Sequence, residues 1–147
     1  MIYLVDTNVL LRHAHTADPL NPRIVAAVET LWLRGDDLWT TPQNLIELWN
    51  VATRPVASNG LGLSVAQADQ YLQQMEQIFP LVPDVSVIFN HWKRLVTQYG
   101  VSGLKAHDAR LVAVMYTHGI YHLLTLNTRD FARYAPEGIA AVDPLTI

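Results

Sequence analysis

Short apolar segments alternate with amphipathic helical segments along nearly the whole chain, and this alternation is the feature that most limits its possible folds. Strands are predicted at residues 2–5, 38–40, 121–126 and 139–142. Helices are predicted from about residue 8, at 22–34, 42–53, 64–79 and 85–99, through Asp108 as far as Gly119, and as a short turn at 129–134. Strands that alternate with helices imply a parallel sheet covered by helices. We therefore predict an α/β fold, a three-layer α/β/α domain with a central, mainly parallel sheet.

The length and composition fit a single domain that spans residues 1–147. Because the chain has no cysteine, it has no disulfide, thiolate zinc site or cysteine nucleophile, as suits a reducing cytoplasm. The start, MIYLVDTN, lacks the basic region of a signal peptide. The longest stretch without Asp, Glu, Lys or Arg, residues 111–128, is interrupted by His118, Gly119 and His122. We expect a cytoplasmic protein with no membrane partner.

Three acidic residues lie just after predicted strands or in a helix that starts at the end of one. Asp6 directly follows the first strand, Asp130 follows the third after NTR, and Glu47 lies in a helix that starts where the second strand ends. Ligands of parallel sheets bind beyond the carboxyl ends of the strands. Each acid also has an ordinary explanation: Asp6 as a helix cap, Asp130 as a cap or turn residue, and Glu47 as a solvated residue on a polar face with Gln43, Asn44, Asn50 and Arg54.

A fourth acid, Asp108, shares a helical face with apolar residues: Leu104, Leu111, Val112 and Met115. A buried carboxylate must take up a proton, find a cationic partner or hold a metal. Alternatively, Asp108 lies near the start of its helix, where the helix dipole favours a negative charge. From this segment alone, both interpretations stay open.

Taken together, the four carboxylates favour a site for a hard divalent cation, which binds oxygen ligands. Without a cation, the clustered carboxylates would raise one another's pKa values. The net charge of −3 gives no bulk attraction for nucleic acid, but with four acids assigned to such a site the rest of the chain sums to −3 + 4 = +1.

Four segments resemble, in order, the four acidic motifs of the PIN-domain ribonucleases, and most closely those of the VapC-type toxins of bacterial and archaeal toxin–antitoxin pairs. The segments are YLVDTNVLL, TPQNLIELWNVATRP, HDARLVAVM and LLTLNTRDF, and they span residues 3–131. The resemblance implies a PIN-like fold with catalytic, metal-binding acids at Asp6, Glu47, Asp108 and Asp130. It also implies supporting hydrogen bonds from Thr7, Asn8, Thr125 and Asn127.

The same resemblance implies Mg²⁺- or Mn²⁺-dependent hydrolysis of RNA phosphodiester bonds. It further implies a small antitoxin that covers the site with an Arg or Lys side chain, and a homodimer formed through apolar helix faces. Cations near the motifs could contact RNA phosphates: Arg12, Lys105, Arg110, Arg129 and Arg133. No role is assigned to His107 or to the pairs His13/His15 and His118/His122.

Two other functions are weighed against the nuclease. A haloacid-dehalogenase-like phosphatase also places an Asp after its first strand, but it needs a second Asp two residues later, where this chain has Asn8. A catalytically silent PIN-like module that binds metal or protein would keep the fold without the chemistry. A cleavage assay separates this module from an active nuclease.

Overall fold

Four parallel strands form the centre of the structure, a computed structural model that describes residues 1–147. They are β1 (Ile2–Val5), β2 (Asp37–Trp39), β3 (His122–Leu124) and β4 (Ala140–Val142). The strand order is β2-β1-β3-β4, so β1 is central and pairs with both β2 and β3. The predicted parallel sheet is confirmed, although β3 is shorter than the predicted segment 121–126.

Seven α-helices connect and cover the strands: α1 (Thr7–Ala14), α2 (Asn21–Leu33), α3 (Pro42–Thr53), α4 (Val65–Ile78), α5 (Val87–Gln98), α6 (Lys105–His118) and α7 (Thr128–Phe131). Three 3-10 turns complete the chain, at Val56–Ser58, Ala132–Glu137 and Pro144–Thr146. The ends follow local sequence signals. Thr41 and Ser64 cap α3 and α4 with their side chains, and Gly119 ends α6 in the left-handed conformation with φ 67°.

The sheet separates two apolar clusters, as the three-layer prediction requires. Side chains alternate along a strand, so Leu4 faces one cluster whereas Tyr3 and Val5 face the other. The Leu4 side is covered by α5 and α6, and the opposite side by α1, α2, α3 and α4. No helix combines the length and apolar character needed to cross a membrane.

Two residues on predicted apolar faces are exposed instead. The spacing of Val65, Ala68, Leu72, Met75 and Phe79 predicts one apolar face for α4, yet Val65 is 66% exposed because it is the first residue of that helix and has no turn before it. Leu104 precedes the first residue of α6 and is 85% exposed. The other apolar neighbours of Asp108, namely Leu111, Val112 and Met115, are buried.

Candidate active site

A cavity of about 380 Å³ lies beyond the carboxyl ends of β1 and β3, and all four predicted acids line it. Asp6 follows β1, Glu47 lies on α3, Asp108 on the first turn of α6 and Asp130 on α7. The fold therefore brings together acids that are up to 124 residues apart in the sequence. No histidine lines the cavity, and His107 is exposed outside it.

Asp6 is the most enclosed of the four acids, with 7% of its surface exposed. Its Oδ1 accepts hydrogen bonds from the Thr7 backbone N–H (2.8 Å) and the Asn44 amide (3.3 Å). Its Oδ2 accepts from the Thr125 hydroxyl (2.7 Å) and the Asn8 amide (3.3 Å). Asp6 is thus both the N-cap of α1 and a carboxylate held in one orientation at the cavity wall.

Burial raises the pKa of Asp6 to about 6. Hydrogen bonds from Thr125 and Thr7 oppose this shift, while the nearby charges of Glu47 and Asp108 add to it by smaller amounts. Mutual repulsion, the predicted cause of raised pKa values, is therefore secondary at Asp6 to the loss of solvent around the carboxylate.

Glu47 reaches the cavity because α3 starts next to the end of β1. Thr41 caps the helix by accepting a hydrogen bond from the backbone N–H of Asn44 at 3.1 Å, and Pro42 occupies the first helical position. Glu47 Oε2 accepts from the Thr7 hydroxyl at 2.8 Å, and Oε1 accepts from the Gln43 amide at 3.2 Å. Glu47 is partly buried, so its side of α3 is not an ordinary solvated face.

The other two acids share a cation from within the chain. The Lys105 ammonium lies 2.9 Å from Asp130 Oδ1 and 3.6 Å from Asp108 Oδ2. Partial burial raises the pKa of Asp108, and the positive charge of Lys105 opposes that change. Asp108 therefore has both of the features that its sequence position left open, a cationic partner and a place in the first turn of α6.

The donor set suits a hard divalent cation, since all four acids offer carboxylate oxygens to one cavity. The bound ammonium of Lys105 shows that one side of the cavity already attracts positive charge. As the side chains are placed, however, no three acidic or histidine residues form a group that could hold a metal ion. A metal ion held by three of these acids would therefore require their side chains to move closer together.

The predicted supporting residues contribute unequally. Thr7, Asn8 and Thr125 all bond to the acids through side chains, whereas the backbone N–H of Asn127 donates to Thr125 Oγ1 at 3.0 Å. Asn8 also joins β1 to the loop after β3, because its Oδ1 accepts from the backbone N–H of Leu126 at 3.0 Å.

Two functional residues were missed in the sequence. Asn44 is fully buried, and its amide donates to Asp6 and to the Thr7 hydroxyl, the latter at 3.1 Å. Gln43 holds Glu47 and also accepts from Arg110 at 2.9 Å. Both lie about one helical turn before Glu47 on the same helix, and that spacing was the available signal.

The predicted RNA-contacting cations are spread over several surfaces. Arg12 lines the acidic cavity and approaches Asp18 at 3.8 Å, and Lys105 bonds to the acids. Arg110 lies outside the cavity, 3.2 Å from Asp84. Arg129 borders a small neighbouring cavity that shares Asp130, and Arg133 is exposed. The five side chains therefore do not form one continuous track.

Comparison with known proteins finds solved structures with a similar fold. The fold is similar to that of VapBC2 from Rickettsia felis, solved bound to a DNA fragment from their promoter: TM-score 0.72, 16% identity, covering 97% of this chain and 100% of that one. VapBC-1 from nontypeable Haemophilus influenzae gives a TM-score of 0.69 at 19% identity, covering 98% of both chains. VapC20 of Mycobacterium tuberculosis, a sarcin-ricin loop cleaving toxin, gives 0.63 at 18% identity, covering 97% of this chain and 99% of that one.

These identities are low, so the solved structures establish the likeness of fold alone. No curated protein matches the sequence. A family model, however, does match: the PIN domain model covers residues 3–136, which include all four acids of the cavity. With that match over most of its length, the chain belongs to the PIN domain family.

Proposed function

We propose that the protein is a Mg²⁺- or Mn²⁺-dependent endoribonuclease and the toxin of a toxin–antitoxin pair. The observation that carries the proposal is the buried Asp6 carboxylate, fixed by four donors in a cavity that three further acids line. The family match and the likeness to VapBC structures and to a sarcin-ricin loop cleaving toxin support it.

Each acid has a defined part in the proposed reaction. Bound between the carboxylates, a divalent cation would make water more acidic and offset negative charge on the phosphate. Asp6 and Asp108 would be central ligands, with Asp130 beside them. Glu47 would bind the metal or take the proton of the attacking water at Oε1, which accepts one hydrogen bond from Gln43.

The other residues of the cavity hold this arrangement in place. Thr7 bridges two acids, because its backbone N–H donates to Asp6 and its hydroxyl to Glu47. Arg12, which lines the same cavity, would bind a phosphate of the RNA next to the cleaved bond.

Cleavage of total cellular RNA by the purified protein tests the proposal, with Mg²⁺ or Mn²⁺ and with EDTA. We expect discrete products that need the metal and that disappear in Asp6→Asn and in Asp108→Asn. Asp143→Asn is the matched control, because Asp143 caps the last 3-10 turn outside the cavity and asparagine can serve as the same cap. Metal-independent cleavage, or equal cleavage by all variants, would contradict the proposal of a metal-dependent nuclease that uses these acids.

The two alternative functions, a phosphatase and a silent binding module, differ from the nuclease in what they require and predict. A phosphatase of the haloacid-dehalogenase type would need a general acid at position 8, but the Asn8 carbonyl is occupied by a backbone N–H and its amide points to Asp6. The PIN domain match also disfavours that class. A silent binding module would take up Mn²⁺ in a calorimetric titration and leave RNA uncut.

We propose further that a small antitoxin covers the cavity in the cytoplasm and inserts an Arg or Lys side chain among the carboxylates. The contacts of Lys105 with Asp108 and Asp130, two of the acids that line the cavity, support the pairing of these carboxylates with such a cation. The structures of VapBC2 and VapBC-1 support the proposal through their shared fold. Co-purification from the native host should recover a small basic partner whose removal restores RNA cleavage.

A further inference from the structure

Lys105 occupies an unusual position for a surface lysine. It is the first residue of α6, and its ammonium contacts Asp108, three residues later in the same first turn, and Asp130 on α7. Those two acids line the cavity with Asp6 and Glu47. Lys105 does not itself line the cavity; the cation that does, Arg12, is directed to Asp18 and to the backbone oxygen of Asn8.

We infer that Lys105 is an internal counter-ion that must leave Asp108 and Asp130 before a divalent cation binds, and that it thereby sets the metal affinity of the site. The inference rests on the proposed function and adds a residue that limits how tightly the same cavity binds a metal ion. An ammonium and a metal ion repel each other at contact distance, and both need the same carboxylate oxygens.

Three observations support displacement over a fixed structural role. The side chain of Lys105 is 47% exposed, so the ammonium can move into water without unpacking the core. Its stem is long and flexible, and an ammonium forms no fixed fork with a carboxylate, unlike a guanidinium. With Lys105 in place, one oxygen of Asp108 and one of Asp130 are already paired with the ammonium, at 3.6 Å and 2.9 Å, and these are oxygens that a metal ion would need.

Calorimetric titration of Mn²⁺ into the protein tests the inference. We expect Lys105→Gln to bind Mn²⁺ roughly three- to tenfold more tightly than wild type, a modest factor because both ion pairs are half exposed. Lys93→Gln is the matched control, since it removes the same charge from the only other lysine, which is exposed on α5. Lys105→Arg retains the charge and should not bind more tightly than wild type.

A second measurement follows the ammonium itself. After reductive ¹³C-methylation, the Lys105 signal should shift during a Mg²⁺ titration with the same midpoint as binding, while the Lys93 signal stays in place. Asp108→Asn should abolish both the heat and the shift, which ties them to the cavity.

The outcomes separate this inference from the proposed function. Equal or weaker binding by Lys105→Gln, with clear binding by wild type, would overturn the role of Lys105 and leave the metal site standing. Binding by no variant would overturn both. Tighter binding by Lys93→Gln as well would show that net charge, rather than Lys105, sets the affinity and would also overturn the inference.

Discussion

Asp6 is the only acidic or basic side chain among the buried residues of the molecule. The other buried polar side chains are Thr40, Thr41, Asn44 and Thr125, and all of them lie at the same end of the sheet. Apart from Thr40, which donates to the backbone oxygen of Val5, they bond to Asp6 or to a residue that does. The buried polarity of the protein is therefore concentrated around one carboxylate, which costs stability unless its charge is balanced.

The cost of burying the Asp6 carboxylate predicts how the stability of the protein depends on pH. The pKa of Asp6 is about 6 in the folded protein and about 3.9 in an unfolded chain, so folding favours the protonated form. The stability that the folded protein gains from protonation of Asp6 is complete below about pH 4 and is lost as the pH rises through about 6. In EDTA, wild type should gain up to about 3 kcal/mol of unfolding free energy relative to Asp6→Asn between pH 7 and pH 4.

Urea unfolding of both proteins at several pH values measures this difference. His13, whose pKa is lowered by burial, has the opposite effect on stability as it becomes protonated, but it is present in both proteins and cancels. Parallel pH profiles for wild type and Asp6→Asn would rule out a raised pKa at Asp6.

Individual residues differ in how well the sequence predicts their place in the site. Asp6 follows a predicted strand and Thr125 lies near the end of another, and such positions can be identified from short-range patterns. For Asn44 the spacing of one turn from Glu47 is the only sequence signal, because Asn44 lies on the polar face of α3 and only the contact with Asp6, after β1, turns part of that face inward. Likewise, the pairing of Lys105 with Asp130 depends on how α6 and α7 meet, which no local spacing specifies.

At the scale of elements, the site depends on where helices begin. The predicted start of α3 at residue 42 is confirmed, as are the Gly119 end of α6 and the order of strands and helices. Capping residues and glycine act locally, so the sequence reveals them. Strand lengths depend on which neighbours pair, and they were overestimated at β3.

The cap of α3 should matter for both stability and function. Thr41→Ala removes the hydroxyl that accepts from the Asn44 backbone and donates to its side-chain oxygen at 2.6 Å. We expect a loss of about 1–2 kcal/mol in unfolding free energy. RNA cleavage should also fall several-fold, because Asn44 is released from its position against Asp6.

Ser64→Ala is the comparison for this prediction. Ser64 caps α4 through a capping box with Gln67, outside the acidic cavity. The Ser64→Ala variant should lose a similar free energy of unfolding, and it should keep its cleavage rate at temperatures where it is folded. Equal loss of cleavage in both variants would show that the effect of Thr41→Ala is one of global stability.

At the scale of the whole molecule, an apolar groove between α5 and the start of α6 remains uncovered. Its volume is about 500 Å³, and its lining includes Val85, Phe89 and Trp92. Phe89 is 62% exposed and stacks on Trp92 with ring centroids 5.8 Å apart. Exposed aromatic surface of this kind favours association, so we expect the homodimer to form here.

Phe89→Ser should therefore shift the protein from dimer to monomer at micromolar concentration, as measured by light scattering. Val65→Ser is the control, since Val65 is exposed to a similar extent on α4, away from the groove. A wild-type protein that is strictly monomeric, or a Phe89→Ser variant that stays dimeric, would exclude this interface.

The central position of β1 has a consequence for how the protein is made. Asp6 is held by Thr125, which comes 119 residues later in the chain. At translation rates of about 5–20 residues per second, Asp6 waits roughly 6 to 24 seconds for that partner to be synthesised. Until then β1 has β2 beside it but not β3, and the carboxylate has no fixed orientation. If the protein is the ribonuclease proposed above, the nascent chain would lack its complete site for most of its synthesis and would not cut the message that encodes it before the chain is nearly complete.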